Sequence, residues 1–332
     1  MIGKYIKYEL KRTMWPTVIM SILGIIICVP SLISVKRYQD SAFLTSIAYF
    51  LYACVIGIVI YQFSFLMKKR SVDEFYALPL KREKIILLKF LVGYIDIAIA
   101  YTVTFFMSFI SIANRFVNIL NLEYFFPFYI LTLLSSLGIY AFYAFIYMRG
   151  NTVIDGVIFM ILYNFVFYLF EDVIRLFILN VFDKYTQINF SLLPSWAFDV
   201  LIEKYASLIE NGINVQTPIL GGTIFWSIIF LASLIGIYFS TKLDKAERAE
   251  QISETYFGYK ILIPIYFIGT LYSLDIDSSI ASDPFYISYY AIFFAISIIG
   301  MVIYKRTFKL KLKTWILLGI YMLVAIFLSI AF

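Results

Sequence analysis

The sequence has no histidine, two cysteines and few charged residues. Cys28 and Cys54 each lie inside an apolar run and show no CxxC spacing. Without histidine or a cysteine cluster, zinc and haem sites of the usual kinds are excluded, and no disulfide framework is expected. Only 14% of residues are charged, whereas soluble domains carry roughly 25%.

Catalytic motifs are also missing. The chain contains no HExxH, no GxSxG and no GxxxxGK[ST], so it offers neither those hydrolase sites nor a P-loop for ATP. We predict a chain that is not an enzyme and holds no cofactor of its own.

Apolar residues dominate what is present, at 62% of the chain. Because a helix needs about 20 apolar residues to cross a bilayer, we predict an all-α polytopic membrane protein of eight or nine spans. The seventh candidate is the shortest, and the count is eight if it does not cross or if the last segment is re-entrant. The segments are residues 15–35, 42–67, 88–113, 124–147, 153–170, 219–241, 259–274, 285–304 and 314–332.

The distribution of lysine and arginine orients these spans. With the N-terminus inside, the inner segments and the adjoining helix ends hold 21 of the 27 basic residues. The positive-inside rule therefore predicts a cytoplasmic N-terminus. The start has no convincing signal-peptide cleavage site, so we expect the first span to remain as an anchor. The inner segments are residues 1–14, 68–87, 148–152, 242–258 and 305–313.

Residues 1–14 have the spacing of an amphipathic helix. They form either an interfacial helix whose basic face contacts anionic lipid or a positive flank that orients the first span. Glu9 falls on the apolar side, which suggests a more specific partner than lipid. The two faces are Ile2, Tyr5, Ile6, Leu10 and Met14 against Lys4, Lys7, Lys11 and Arg12.

The long outer loop, residues 171–218, contains a second amphipathic stretch. Ser195 suits an N-cap and Asn211-Gly212 a helix end, so we predict a helix at the outer surface. It is either a lid over an exit path or a docked connection between spans.

A charged island interrupts the apolar segments at 71–84. Ser71, Asp73 and Glu74 fit a capping box, Ser-x-x-Glu, with acids at the positive end of the helix dipole. Pro79 disfavours helix at Leu78. We predict a short helix at about 71–79, parallel to the membrane on the cytoplasmic side. Its aromatic face, Phe75 and Tyr76, is suited to contact a protein.

Two acids lie in or near the spans. Asp96 is a candidate for the translocation path or for helix pairing, and it can equally be a polar residue bonded to neighbouring side chains. Asp155 opens the fifth span, and the motifs of an intramembrane aspartyl protease are absent. The basic loops follow from topology, so we expect no nucleic-acid binding.

Three stretches resemble the membrane-spanning permease subunits of bacterial type-2 ABC exporters. "KYELKRTMWP" is similar to their N-terminal connecting helix. "DEFYALPLKREKIILLKFLVG" is similar to the segment with the coupling helix, where Leu78-Pro79, Arg82 and Lys89 match. "KLDKAERAEQISETYFGYKILIPI" is similar to a juxtamembrane stretch of antibiotic-responsive, peptide-exporting permeases, although Gln251-Ile252-Ser253 replaces the small residues expected there.

The resemblance implies a six-span permease core over residues 15–241, followed by additional spans within 242–332. It implies a bacterial cell-membrane location, cytoplasmic ATPase partners that bind ATP and Mg²⁺, a second identical or related permease, and outward transport of a hydrophobic or amphipathic substrate. The residues expected to contact the ATPase are Glu9, Arg12, Ser71, Asp73, Glu74, Phe75, Tyr76, Leu78, Pro79 and Arg82.

Two other classes of protein remain open. A stand-alone ion-coupled transporter would use Asp96 as its coupling site and would need no ATP. A membrane scaffold or immunity protein would depend on no ATPase.

Overall fold

The computed structural model describes residues 2–34, 42–116, 121–182, 194, 196–212, 219–243, 246–276 and 286–331. Over these residues the chain is helical and contains no strand. It divides into two compact units. Unit 1 comprises Met1–Met148 and Pro194–Ala246, and unit 2 comprises Arg149–Leu193 and Glu247–Phe332.

Unit 1 contains seven of the α-helices that the structure describes, numbered here in chain order. Two 3-10 turns, Ser64–Met67 and Leu122–Tyr124, precede α3 and α5. The helices are α1 Ile2–Ser34, α2 Ala42–Phe63, α3 Lys69–Tyr76, α4 Arg82–Phe116, α5 Phe125–Tyr147, α7 Trp196–Asn211 and α8 Ile219–Leu243.

Unit 2 contains the other four described α-helices, and the 3-10 turn Ala246–Arg248 lies at the boundary between the units. Helix α9 is central, because α6, α10 and α11 all pack against it. The helices are α6 Val153–Phe182, α9 Tyr259–Ile276, α10 Tyr286–Lys305 and α11 Leu312–Ala331.

Five helical stretches among the described residues are long and apolar enough to cross a membrane. All five belong to unit 1. This composition fits an all-α membrane protein, because helices satisfy their own backbone groups in lipid. The five stretches are Ile2–Val29, Leu44–Met67, Arg82–Ser111, Phe125–Tyr147 and Ile224–Lys242.

Helix α1 differs from the prediction in two respects. It is one helix from Ile2 to Ser34, so residues 2–14 are its first part and not a separate interfacial helix. Its buried face agrees with the predicted apolar side at Tyr5 and Glu9 but not along its whole length, since Ile2 and Met14 are exposed. Polar and small side chains can line a helix interface in lipid, where apolar residues gain nothing by facing inward. The buried face consists of Tyr5, Glu9, Thr13, Thr17, Ser21, Gly24 and Cys28.

Helix α6 is longer than the predicted span 153–170. It continues to Phe182, into the segment that we assigned to the outer loop. Glu171 and Asp172 end the apolar run, but charged residues do not end a helix, and no glycine or proline occurs between Gly156 and Pro194. Hydropathy therefore predicted where the apolar run stops and not where the helix stops.

Helix α7 forms where the sequence predicts the outer-surface helix. It ends at Asn211, and Gly212 has the left-handed φ of 66° that favours glycine. The expected N-cap, Ser195, lies outside the described residues. Helix α7 packs against α2 and α5, and the Phe198 ring lies near that of Tyr52. The buried side chains of α7 form an apolar stripe that includes Phe198, Ile202, Tyr205, Leu208 and Ile209. Burial raises the pKa of Tyr205 on this stripe.

Candidate functional site

The short helix α3 begins earlier than predicted. Lys68 is the extended N-cap residue and the helix starts at Lys69. The capping-box prediction is therefore wrong: Ser71 lies inside the first turn, and no side chain caps the start. Glu74 pairs instead with Arg70 at 3.3 Å, with both side chains exposed. The 3-10 turn that ends at Met67 sets where α3 can start, and local capping preference does not override it.

The end of α3 agrees with the position of Pro79, which lies three residues beyond the last helical residue. The helix stops at Tyr76, and the Ala77 amide donates to the carbonyl of Asp73 at 3.0 Å. Leu78 lies outside the helix, as expected for a residue before Pro79. The predicted range 71–79 is therefore shifted by two to three residues.

The apolar face of α3 packs on its own unit. Val72 is buried, and the Phe75 ring lies 4.7 Å from the ring of Phe65. Two cations flank Phe75: Lys89 Nζ is 4.1 Å from the ring centroid and the Arg12 guanidinium is 5.3 Å away. Phe75 is thus half-buried within unit 1, whereas the sequence suggested an exposed ring.

Glu9 joins these two cations. Its carboxylate lies 3.2 Å from Lys89 Nζ and 2.7 Å from Arg12 Nη2. Glu9 and Lys89 are both 0% exposed. Our prediction that Glu9 contacts an ATPase needs correction, because a fully buried carboxylate cannot reach another protein. The specific partner that Glu9 requires is provided by α4 of the same chain.

Asp96 is a further buried charge near Glu9, Arg12 and Lys89. It lies seven residues after Lys89, on the same face of α4, and is 2% exposed. Gln62 Nε2 donates to Asp96 Oδ2 at 3.5 Å, and Arg12 Nη2 donates to Gln62 Oε1 at 3.5 Å. The hydroxyls of Thr13 and Thr17 lie beside the Asp96 carboxylate. These contacts join α1, α2 and α4, as the helix-pairing interpretation of Asp96 requires.

We call Glu9, Arg12, Gln62, Lys89 and Asp96 the charge cluster. It contains two carboxylates and two cations, so its formal charges balance. Hydrogen-bonded pairing of this kind is what makes buried charge tolerable in a low-dielectric interior.

A groove lies beside α3 on the surface of unit 1. It has a volume of about 390 Å³ and is lined by Lys4, Tyr5 and Tyr8 of α1 and by Phe75, Leu78 and Pro79. The remaining predicted contact residues lie around α3. Asp73 and Arg82 are exposed, and the Arg82 guanidinium stacks 4.5 Å from the half-buried ring of Tyr76.

Unit 2 has a separate polar centre around Asp155, near the start of α6. The carboxylate accepts hydrogen bonds from Ser253 Oγ at 2.9 Å and from the Tyr259 hydroxyl at 2.8 Å. Arg306 Nη2 lies 3.3 Å from Oδ2. Asp155 therefore ties the starts of α6 and α9 to the end of α10.

The juxtamembrane stretch that resembles peptide-exporting permeases is held by this centre. The Glu250 amide donates to the Asn151 carbonyl at 2.9 Å, and Asn151 Nδ2 donates to the Ile252 carbonyl at 2.9 Å. Glu250 has a φ of 66° and Arg306 a φ of 51°, a region that non-glycine residues rarely adopt. The surrounding bonds hold two strained residues in place.

Sequence reasoning missed the pairing of Glu9 with Lys89 and of Asp155 with Arg306. A signal for the first pair was present: Glu9 lies on the wrong face of its amphipathic pattern, and Lys89 lies just inside an apolar span. Opposite charges that both occupy unfavourable positions are candidates for pairing with each other.

Comparison with protein-family models, with curated proteins and with solved structures finds no match to this chain.

Proposed function

We propose that this chain is the membrane-spanning permease subunit of an ATP-driven ABC exporter in a bacterial cell membrane. It crosses the membrane eight or nine times with a cytoplasmic N-terminus. ATP and Mg²⁺ bind a separate cytoplasmic ATPase, and the permease itself performs no covalent chemistry. A second identical or related permease completes the transport path.

The internal geometry of unit 1 supports this topology. Helix α3 lies near the end of α2, because Arg12 of α1 contacts both Tyr61 and Gln62 of α2 and the ring of Phe75 of α3. Helix α7 packs against the first half of α2, where Tyr49 donates to Asp199 and the Tyr52 ring lies near Phe198. With 22 residues, α2 is about 33 Å long, close to the thickness of a hydrocarbon core. Contacts with α7 in the first half of α2 and with α3 near its end are consistent with the predicted outer and cytoplasmic locations of these two helices.

Contacts within unit 2 support the proposed topology independently. Three segments predicted to be cytoplasmic, 148–152, 242–258 and 305–313, meet around Asp155 through Asn151, Ser253 and Arg306. Contacts among them require that they lie on one side of the membrane.

The observation that carries the proposal is the setting of Phe75. Its ring lies against both Arg12 and Lys89, which pair with the same carboxylate, Glu9. A partner that pushes α3 would move Phe75 against both cations. The displacement would pass to α1 and α4 together, which suits a rigid-body change of the spans.

The surface around α3 is accessible to such a partner. The groove beside Leu78 and Pro79 offers an apolar pocket with a basic residue, Lys4, at its edge. Asp73, Glu74 and Arg82 supply exposed charges. We assign the ATPase contact to this surface, and we assign Glu9 and Lys89 to transmission inside unit 1.

The substrate class follows from the chemistry of the spans. They are rich in aromatic and aliphatic residues and poor in charge. We propose outward movement of a hydrophobic or amphipathic substrate, such as a peptide or an antibiotic-like molecule.

The test is reconstitution of the chain with a candidate cytoplasmic ABC ATPase, sought first among the neighbouring genes. Phe75→Ala should preserve membrane insertion but abolish substrate-stimulated ATP hydrolysis and transport. Phe106→Ala is a matched control, because Phe106 is exposed on the long helix α4, and it should retain activity. Full coupled activity of Phe75→Ala would contradict the proposed transmission role.

The burial of Asp96 favours one second candidate, an ion-coupled transporter that acts alone. Asp96 is a carboxylate deep in the charge cluster, and such residues commonly form ion or proton pathways. This candidate predicts transport in vesicles without ATP or an ATPase, lost in Asp96→Asn. The ABC proposal predicts no transport in those vesicles.

A further inference from the structure

The connection between α10 and α11 in unit 2 has an unusual surface. It runs from Arg306 to Lys311 in irregular backbone, closed by Thr314 N donating to the Lys311 carbonyl at 2.8 Å. No acidic residue follows Asp283, whereas five basic residues lie between 305 and 313. We call residues 305–313 the basic turn.

Apolar side chains project from the same turn. Phe308 is 93% exposed and Leu312 is 76% exposed. Trp315 follows one turn into α11 and is also exposed. Fully hydrated side chains of this size are unfavourable, but the membrane interface suits aromatic rings next to basic residues.

The cations of the turn differ in what they contact. Arg306 pairs with Asp155, and Lys305 lies 4.3 Å from the ring of Tyr304. Lys309, Lys311 and Lys313 are exposed, and no described acidic residue forms an ion pair with them. They alternate with Leu310 and Leu312 in the sequence, which separates charged from apolar side chains where the chain is extended.

We propose that the basic turn binds the headgroups of anionic phospholipids. Lys309, Lys311 and Lys313 contact the phosphates, and Phe308 and Leu312 insert at the level of the glycerol groups. Clusters of basic residues next to a membrane helix attract anionic lipid by about 1 kcal/mol per charge. The exposed apolar side chains favour a bilayer over an acidic protein, because the turn joins two apolar helices. This inference requires a membrane-embedded unit 2 and is independent of the ABC assignment.

The first test is native mass spectrometry of the full chain. The protein is extracted from bilayers with equal amounts of phosphatidylglycerol and phosphatidylcholine, and the ratio of the two retained lipids is measured. Replacing Lys309, Lys311 and Lys313 together by Gln should lower this ratio about ten-fold or more. The matched control replaces three exposed lysines of unit 1, Lys68, Lys69 and Lys81, by Gln. An unchanged ratio in the basic-turn variant, or an equal fall in the control, would overturn the proposal.

A second test keeps all lysines. In a Cys28→Ala, Cys54→Ala background, Phe308→Cys carries an environment-sensitive fluorophore. We expect blue-shifted emission in phosphatidylglycerol bilayers, with stronger quenching by brominated phosphatidylglycerol than by brominated phosphatidylcholine. Equal quenching by the two lipids would show that the turn does not prefer the anionic headgroup and would overturn the proposal. A blue shift that appears only after addition of a soluble acidic protein would assign the surface to a protein partner and overturn the lipid site.

Discussion

At the scale of single residues, the buried ion pair between Glu9 and Lys89 joins α1 to α4. We predict that Lys89→Met lowers the free energy of unfolding by about 3 kcal/mol, because it leaves the Glu9 carboxylate with only Arg12. Thermal unfolding in detergent measures the loss. Replacing both members, with Glu9→Gln and Lys89→Met, should cost less than Lys89→Met alone, since one carboxylate, Asp96, and one cation, Arg12, then remain and the formal charges of the cluster still balance.

The matched control for that prediction is Arg70→Ala. Arg70 and Glu74 also form an ion pair, but both are exposed to solvent. An exposed pair is screened by water and contributes little, so this variant should unfold like the wild type. If Lys89→Met were as mild as Arg70→Ala, the burial assigned to the pair would be incorrect.

The sequence indicated which residues are unusual but not how they pair. Glu9 on the apolar side of its helix and Asp96 in a span were both identifiable. Their partners, Lys89 and Gln62, are 80 and 34 residues away, a separation that no local pattern encodes. The partial burial of Phe75 against the two cations depends on those same long-range contacts.

At the scale of elements, Asp155 holds the stretch from Glu247 to Tyr259 against α6. We predict that Asp155→Ala increases the rate of trypsin cleavage after Arg248 about ten-fold or more, because two hydrogen bonds and an ion pair are lost. Limited proteolysis followed by mass spectrometry measures the rate.

Glu254→Ala provides the comparison. Glu254 lies in the same stretch, but it is exposed and 3.8 Å from Lys260. Cleavage of this variant should match the wild type. Equal protection of Asp155→Ala and the wild type would show that Asp155 does not hold the stretch.

A glycine makes the turn before α6 possible. A Cβ on Gly150 would lie 2.5 Å from the Gly156 amide nitrogen and 2.8 Å from its Cα, and backbone atoms cannot rotate away. Gly150→Ala should therefore lower the free energy of unfolding by about 1–3 kcal/mol. Gly319→Ala in α11, where nothing lies within 4 Å of the added Cβ, should cause no loss in the same thermal assay.

Apolar runs predicted the elements better than they predicted the ends of the elements. Each of the nine apolar segments corresponds to a helix among the described residues, and α7 ends at the predicted Asn211. The errors occur where charge was taken as a boundary, at residue 14 in α1 and at Glu171 in α6. The start of α3 was wrong because a capping motif was given more weight than the preceding 3-10 turn.

At the scale of the whole molecule, the account depends on which ends of the helices face the cytoplasm. The distribution of lysine and arginine predicts which segments are cytoplasmic. Within each unit, the predicted cytoplasmic segments contact one another. In unit 1, α3 lies near the end of α2 and α7 packs against its first half, so one labelling experiment on these two helices reports the orientation of the unit.

That experiment is cysteine labelling in intact cells, in a Cys28→Ala, Cys54→Ala background. Asp73→Cys in α3 and Glu203→Cys in α7 are both exposed positions. A membrane-impermeant maleimide should label Glu203→Cys in intact cells and Asp73→Cys only after permeabilisation. Labelling of Asp73→Cys in intact cells would place α3 outside, where no cytoplasmic ATPase could contact it, and would contradict the proposed function.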